Sequence, residues 1–290
     1  MLEEIPYCAQ IMGRHYCLKF LQSYGTKKNQ EDRYFNFKYE NFIVVSILDG
    51  HRGSEAVDFV TKLFEKLFIY YYSNFKTKTL EEIITKIFID FDKKFIEKDV
   101  YSGVVLSLLI YDLNTKSALV AQLGDTKIWL FDENFKMIFE TTEHRLNNSS
   151  EYERIKNSGY ESYIKKSETS SHLRFKGLMI SRALGDKDSK EIELSRENDP
   201  LSPIPEFEKV SNVKAAILAT DGITDFVDSN KIEEILTDNQ NDFVRSVSTI
   251  FEECTEVDCR RDNQTIVGVL FEENEQVGSY NSMFSSISKK

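Results

Sequence analysis

Residues 44–51 read Val44-Val45-Ser46-Ile47-Leu48-Asp49-Gly50-His51, an apolar run that ends abruptly on an acidic turn. Counted from Phe42, the run has the length and composition of a strand. Asp-Gly closes it because glycine accepts positive φ and aspartate bonds the local backbone. The same arrangement returns at 215–225, Ala-Ala-Ile-Leu-Ala-Thr-Asp-Gly-Ile-Thr-Asp, which carries Asp221 and Asp225. In the opposite order, Asp262 stands just ahead of the apolar run 265–271, and Glu31-Asp32 just ahead of a short aromatic, strand-like segment. Taken singly, each is a common turn. Taken together, they put several carboxylates at strand ends, and strand ends sharing one sheet edge bring them into a small volume. Two carboxylates about 4 Å apart repel by roughly 4 kcal/mol at an effective dielectric of about 20, so such a cluster calls for protons or cations. All-oxygen ligands suit Mg2+ or Mn2+ rather than structural zinc. A water held between two such ions is a nucleophile near neutral pH, suited to in-line attack on phosphorus.

Around these turns the chain alternates groups of strands with pairs of helices. Thr79 and Glu82 form a capping box at the head of a helix over 79–98, whose stripe is Leu80, Ile83, Ile84, Ile87, Phe88, Phe91 and Phe95. A second helix is predicted over 54–72, on the face of Ala56, Phe59, Val60, Leu63, Phe64 and Leu67. A third is predicted over 151–158, with Ser150 and Glu153 at its start and Gly159 at its end. Further helices are expected over 230–236 and 241–257. Strands are predicted over 42–48, 104–111, 117–123, 127–131, 215–219 and 265–271. The runs at 104–111, 117–123 and 127–131 are separated by short turns and read as an antiparallel meander. The pattern is a layered α+β architecture around mainly antiparallel sheet. Residues 186–209, with three of the four prolines, are expected to form a surface loop. No internal repeat or strong linker divides 1–271, and the Ser-, Asn- and Glu-rich stretch 272–290 is expected to be a disordered tail.

Composition narrows the function. The chain has 290 residues, 41% of them hydrophobic, and a net charge of −11. That acidity disfavours nucleic acid and anionic membranes as partners. No apolar run is long enough to span a bilayer. The start, Met-Leu-Glu-Glu, lacks the features of a signal peptide, and Leu2 stands where myristoylation needs glycine. Cys8, Cys17, Cys254 and Cys259 fit neither a disulfide framework nor a zinc finger. A monomer in a reduced intracellular compartment, cytoplasmic or nuclear, is expected.

With these blocks in view, the chain resembles the metal-dependent serine/threonine protein phosphatases of type 2C over about 24–271. NQEDRY at 29–34 resembles the family's first acidic block. VVSILDGHRGSEAV at 44–57 resembles its strand, D-G-H-x-G turn and helix. VAQLGDTKIWLF at 120–131, TTEHR at 141–145 and ERIKNSGY at 153–160 follow in the family's order. LMISRALGD at 178–186 is similar to its S-R-A-[LF]-G-D block, and LATDGITD at 218–225 and RDNQTIVGVLF at 261–271 to its last acidic blocks. The resemblance implies a four-layer α-β-β-α sandwich of two antiparallel sheets flanked by helix pairs. It implies hydrolysis of phosphoserine and phosphothreonine on phosphoprotein substrates, with two Mg2+ or Mn2+ ions as cofactors. Asp49 would bridge the ions, the Gly50 carbonyl would bind one, Asp221 and Asp262 the other, and Glu31 and Asp32 would hold their waters. His51 would be the general acid for the leaving oxygen, and Asn263 would orient Asp262. Asp125 and Asp225, with Asp221, resemble a third and weaker metal site, while Arg182 and Asp186 read as structural. Residues 147–176 resemble the family's flap.

Two positions depart from the pattern. Lys27 stands where the family has a phosphate-gripping arginine; it keeps the charge and loses the bidentate fork, and Lys28 is adjacent. Val105 stands in Ser102-Gly103-Val104-Val105-Leu106 where the family has threonine, so a hydroxyl is lost. Gly124-Asp125-Thr126-Lys127, for Gly-Asp-Ser-Arg, is a milder change. Two functions therefore stand open: an active phosphatase, and a weak or inactive relative that binds phosphoproteins as a scaffold. Retention of all the acidic positions favours the first. A haloacid-dehalogenase-type hydrolase would need a second aspartate just after Asp49, which Gly50-His51 does not offer.

Overall fold

The structure is a computed structural model that describes residues 7–13, 15–166, 172–190, 199–239, 242–256 and 262–272. It begins with a hairpin, β1 (Tyr7–Met12) and β2 (Tyr16–Ser23), then β3 (Arg33–Tyr39) and β4 (Phe42–His51). Two long helices follow, α1 (Glu55–Asn74) and α2 (Leu80–Glu97). Strands β5 (Gly103–Asp112), β6 (Ser117–Leu123), β7 (Lys127–Phe131) and β8 (Met137–Glu140) lead to α3 (Ser149–Asn157). Next come β9 (Ile164–Lys166), β10 (Leu173–Phe175), β11 (Leu184–Gly185), β12 (Glu206–Ser211) and β13 (Ala215–Ala219). Helices α4 (Asp221–Thr224), α5 (Ser229–Asp238) and α6 (Phe243–Glu256) precede β14 (Gln264–Phe271).

The strands form two large antiparallel sheets, β1-β2-β14-β13-β7-β8 and β12-β6-β5-β4-β3, with β11 pairing on β5, while β9 and β10 pair apart from both. Side-chain alternation decides what each face meets. On β4, Val44 and Leu48 pack with Val60, Phe64 and Phe68 of α1 and Ile84, Phe88 and Phe91 of α2. The alternate residues Ile43, Val45 and Ile47 pack against Leu218, Val267 and Val269 of the other sheet. The far face of that sheet, Ala215, Ile217 and Ala219, meets Ile232 and Ile235 of α5 and Val247, Ile250 and Phe251 of α6. The four layers are helix, sheet, sheet and helix, as the resemblance implies. The capping box at Thr79 and Glu82 is formed in full.

Several expectations are corrected. The predicted meander does not hold beyond its first turn: β5 pairs with β6, but β7 pairs with β13 and β8 in the opposite sheet. The crossing is made at Gly124, whose φ of +98° redirects the chain. A buried network holds this turn, in which the Gln122 amide donates to Gly124 O at 3.1 Å and the Ser107 and Thr126 hydroxyls meet at 2.8 Å. Helix α3 starts two residues early, and Asn148 caps it by accepting from Ser150 N, in place of Ser150. Gly159 takes the left-handed conformation expected of it, φ +86°. The expected loop over 186–209 includes an edge strand, β12, along β6. Its sequence Glu-Phe-Glu-Lys-Val-Ser keeps charges on the exposed face and buries no continuous apolar run. Cys259 and the stretch 273–290 lie outside the described residues, as do positions 241 and 257 of the last predicted helix.

Candidate active site

The inner faces of the two sheets end in acidic and hydroxyl residues at one edge. On β4 the inward alternation Ile43, Val45, Ile47 continues to Asp49. On β13 the alternation Ala216, Leu218 continues to Thr220, immediately before Asp221 opens α4. Thr265 is the inward residue of β14 ahead of Val267, and Asp32 is the one ahead of Tyr34 on β3. The Thr220 and Thr265 hydroxyls both donate to Asp32 Oδ2, at 2.9 and 2.7 Å. Thr220 Oγ1 in turn accepts from Thr265 N at 3.1 Å, which ties β13, β14 and Asp32 together. Two turn glycines are needed for closeness. A Cβ at Gly50 would lie 2.8 Å from Glu31 O, and one at Gly222 would lie 2.0 Å from Asn263 O. The second contact packs the Asp221 turn on the Asp262 turn.

Asn263 organises the loop ahead of β3. Its side-chain oxygen accepts from Glu31 N at 2.8 Å, and its amide donates to Tyr24 O and Asn29 O, each at 3.1 Å. Its link to Asp262 is through the backbone, Asn263 N donating to Asp262 Oδ1 at 2.8 Å. Its side chain thus positions the 24–31 loop rather than the Asp262 carboxylate. Glu31 Oε1 accepts from Gly53 N at 2.7 Å, joining that loop to the residues after His51. Lys27 Nζ lies 2.9 Å from Asp262 Oδ1, both side chains being substantially exposed. Lys28 is exposed beside it.

The carboxylates feel one another. Burial, then the charges of Asp221, Asp32, Asp125 and Asp262, holds the Asp49 carboxyl well above the usual carboxylate range. Asp221 is raised likewise, by burial and then by Asp125, Asp262, Asp225 and Asp32. Burial pushes Asp32 up to about 7, against the downward pull of the Thr265 and Thr220 hydroxyls. Among the described residues, no three His, Cys, Asp or Glu side chains are already drawn to the spacing of a metal cage. The donor set is nevertheless all oxygen and acidic and gathers at one edge, which is the chemistry that suits Mg2+ or Mn2+. Protons or a cation must balance it.

His51 lies at the end of β4, and its Nε2 is 2.7 Å from Asp186 Oδ2; the Asp186 side chain is fully buried. The resemblance marks Asp186 as structural, yet here it meets the predicted general acid directly. Gly103 makes the pair possible, since a Cβ there would lie 2.1 Å from Asp186 Oδ2 and 2.3 Å from His51 Nε2. Arg52 flanks the pair, 3.5 Å from Asp186 and bidentate on Asp188 at 2.8 and 2.6 Å. Behind Asp186, the buried Lys190 ammonium donates to Asp92 of α2 at 2.5 Å and to Ala183 O at 2.7 Å. Arg182 has the structural position expected: it and Arg154 clamp the buried Glu151 of α3. Those guanidiniums outweigh burial and hold the Glu151 carboxyl down at about 2.

Val105 stands opposite Asp49 in the β4–β5 ladder. It is buried in a small apolar group with Ile180, Ala183 and Leu201, so packing has replaced the missing hydroxyl. Asp125, Asp225 and Asp221 lie around the Arg145 guanidinium. No sequence motif marks a role for Arg145, Thr220, Thr265 or the Asp92–Lys190 pair. Thr220 and Thr265 were accessible through strand alternation, whereas the other contacts join segments far apart in the chain.

The four-layer architecture is shared with a phosphatase from a pathogenic strain of Toxoplasma gondii. Its crystal structure superposes with a TM-score of 0.78 at 14% identity, over 93% of this chain and 96% of that one. A sequence model described as Protein phosphatase 2C matches residues 19–262, and the chain belongs to the protein phosphatase 2C family. It is 24% identical over 226 residues to a probable protein phosphatase 2C of Paramecium tetraurelia, covering 70% of this chain and 71% of that one. It is 25% identical over 206 residues to a probable protein phosphatase of Dictyostelium discoideum. That match covers 68% of this chain but spans only a fifth of the Dictyostelium protein.

Proposed function

We propose that the chain is a metal-dependent serine/threonine protein phosphatase acting on phosphoserine and phosphothreonine in phosphoproteins. The observation that carries this reading is the meeting of Asp32, Asp49, Asp221 and Asp262 at one sheet edge, beside the His51–Asp186 pair. Asp49, the Gly50 carbonyl, Asp221 and Asp262 would hold two Mg2+ or Mn2+ ions, with Glu31 and Asp32 holding their waters. Such ions supply Lewis acidity and lower the pKa of a water suited to in-line attack on phosphorus.

The chain's own residues do the rest. Thr220 and Thr265 fix the orientation of Asp32. Asn263 holds the loop that carries Lys27 and Glu31. Lys27 is an exposed cation at the rim that attracts the phosphate, and its pairing with Asp262 is weak enough to exchange for substrate. His51 donates a proton from its ring to the leaving serine or threonine oxygen, and Asp186 holds the ring for that transfer. No helix among the described residues is long and apolar enough to cross a membrane.

One observation supports a second reading, a scaffold that binds phosphoproteins with little hydrolysis: Val105 places an apolar group opposite Asp49. Hydrolysis of p-nitrophenyl phosphate across a Mn2+ titration, beside Asp221→Asn and an EDTA control, separates the two. The phosphatase reading expects metal-dependent turnover that Asp221→Asn abolishes. Activity no higher than that of the variant at any metal concentration would leave the scaffold.

A further inference from the structure

The resemblance marks Asp125, Asp225 and Asp221 as a third metal site, and this corner already contains a cation. Arg145 Nε lies 3.0 Å from Asp125 Oδ2 and 3.1 Å from Glu143 Oε2. Its NH1 lies 3.1 Å from Asp225 Oδ1, and its NH2 3.9 Å from Asp221 Oδ2. The Arg145 side chain is only 12% exposed and that of Asp125 only 7%. A guanidinium keeps its charge at any accessible pH, so it cannot make way for a metal by losing a proton.

Nor is Arg145 a loose arm. Its backbone pairs with Ile180 in an antiparallel bridge. On one side of it, His144 N donates to Gly124 O at 2.9 Å; on the other, Asn148 N donates to Arg145 O at 3.0 Å. The His144 ring accepts from Gly124 N at 3.1 Å, in the same turn that presents Asp125. The arginine is therefore delivered to the corner by a segment stitched to the turn of Asp125.

We infer that Arg145 is the resident cation of the Asp125–Asp225 corner, and that this corner is not a metal site in this chain. The residues do not fit a third ion: a divalent cation using the same two carboxylates would have to evict a largely buried guanidinium that both already hold. The fixed charge instead joins the start of the flap segment to the edge that carries Asp221. The inference refines the proposed two-ion centre without depending on a count of two.

The test is the number of Mn2+ ions bound per chain, by equilibrium dialysis with elemental analysis, on the full protein. Wild type and Asp225→Asn should bind the same number. Arg145→Met should gain one weak ion, which Arg145→Met/Asp225→Asn should lose. If Asp225→Asn removes an ion from the otherwise intact chain, or folded Arg145→Met gains none, the inference is wrong. Should Arg145→Met not fold, the comparison of Asp225→Asn with wild type decides alone, because Asp225 is exposed at the rim. A wild type that binds no Mn2+ would count against the two-ion centre, while the gain in Arg145→Met would still report on this corner.

Discussion

His51 Nε2 and Asp186 Oδ2 lie 2.7 Å apart, joining the end of β4 to the turn after β11 across 135 positions of sequence. A carboxylate on the far ring nitrogen holds the imidazole in one orientation, as proton delivery to a leaving oxygen requires. Asp186→Asn should therefore lower kcat on a phosphothreonine peptide by about 10²-fold, within the usual worth of acid catalysis. The loss should be much smaller on p-nitrophenyl phosphate, whose leaving group needs no proton. Gly103→Ala, which pushes a Cβ into the pair, should show the same split. Equal losses on both substrates would contradict the assignment.

The metal-free protein should become less stable as pH rises from about 4 to about 7. The Asp32 carboxyl moves from an ordinary 3.8 to about 7 on folding, so within that window the native state binds the proton that the unfolded state has released. Stability is fully retained below the lower value and is lost as pH climbs through the upper one. The difference corresponds to at most about 4 kcal/mol. Asp49 and Asp221, raised for the same reasons, add in the same direction. Urea unfolding in EDTA at a series of pH values measures the slope. Mn2+ should flatten it and Asp32→Asn should reduce it; an EDTA slope of opposite sign would rule the account out.

Much of this edge was legible in the sequence, because its acidic residues sit where apolar runs stop. Asp49 and Asp221 follow strands, Asp262 precedes one, and a strand end has only one edge to occupy. The long apolar stripes likewise located α1 and α2 and the strands of both inner faces. What escaped was long-range or weakly patterned. The side chains of β12 are half charged, and the short strands β9 to β11 have too few residues to show a period. The switch of β7 to the other sheet depends on one glycine dihedral and a buried hydrogen-bond network, which period-two patterning cannot encode. Asp186 and Arg145 carry no local sign of their partners, since salt bridges between distant segments leave no spacing to read.

Lys27→Arg should lower KM for p-nitrophenyl phosphate several-fold, because a guanidinium can hold phosphate with two hydrogen bonds while still facing Asp262. Initial rates across substrate concentration read this directly, and an unchanged KM would place Lys27 outside the phosphate site.

Val105→Thr should lower stability by about 1–2 kcal/mol, since the hydroxyl enters an apolar group of Ile180, Ala183 and Leu201. Turnover should nevertheless rise, from the polar group restored opposite Asp49. Urea midpoints and kcat, measured on the same preparation, check both halves.

Lys190 and Asp92 form an ion pair with no exposed side-chain surface. Lys190→Met should destabilise the protein by about 3 kcal/mol or more, because it leaves a buried carboxylate without its cation. Adding Asp92→Leu should recover much of the loss, and the unfolding midpoint reports both. A single variant as stable as wild type would show that the pair does not anchor the Asp186 turn.

On the proposed function, the carboxylates around Asp49 hold the cations of a phosphoester hydrolase. Phosphate release from a phosphothreonine peptide, followed against Mn2+ concentration for wild type and Asp49→Asn, tests it most directly. Wild type should show saturable, Mn2+-dependent release, and Asp49→Asn a loss of at least about 10³-fold, as expected when electrostatic stabilisation of the transition state is removed. Release that is independent of Mn2+, or undiminished in Asp49→Asn, would contradict it.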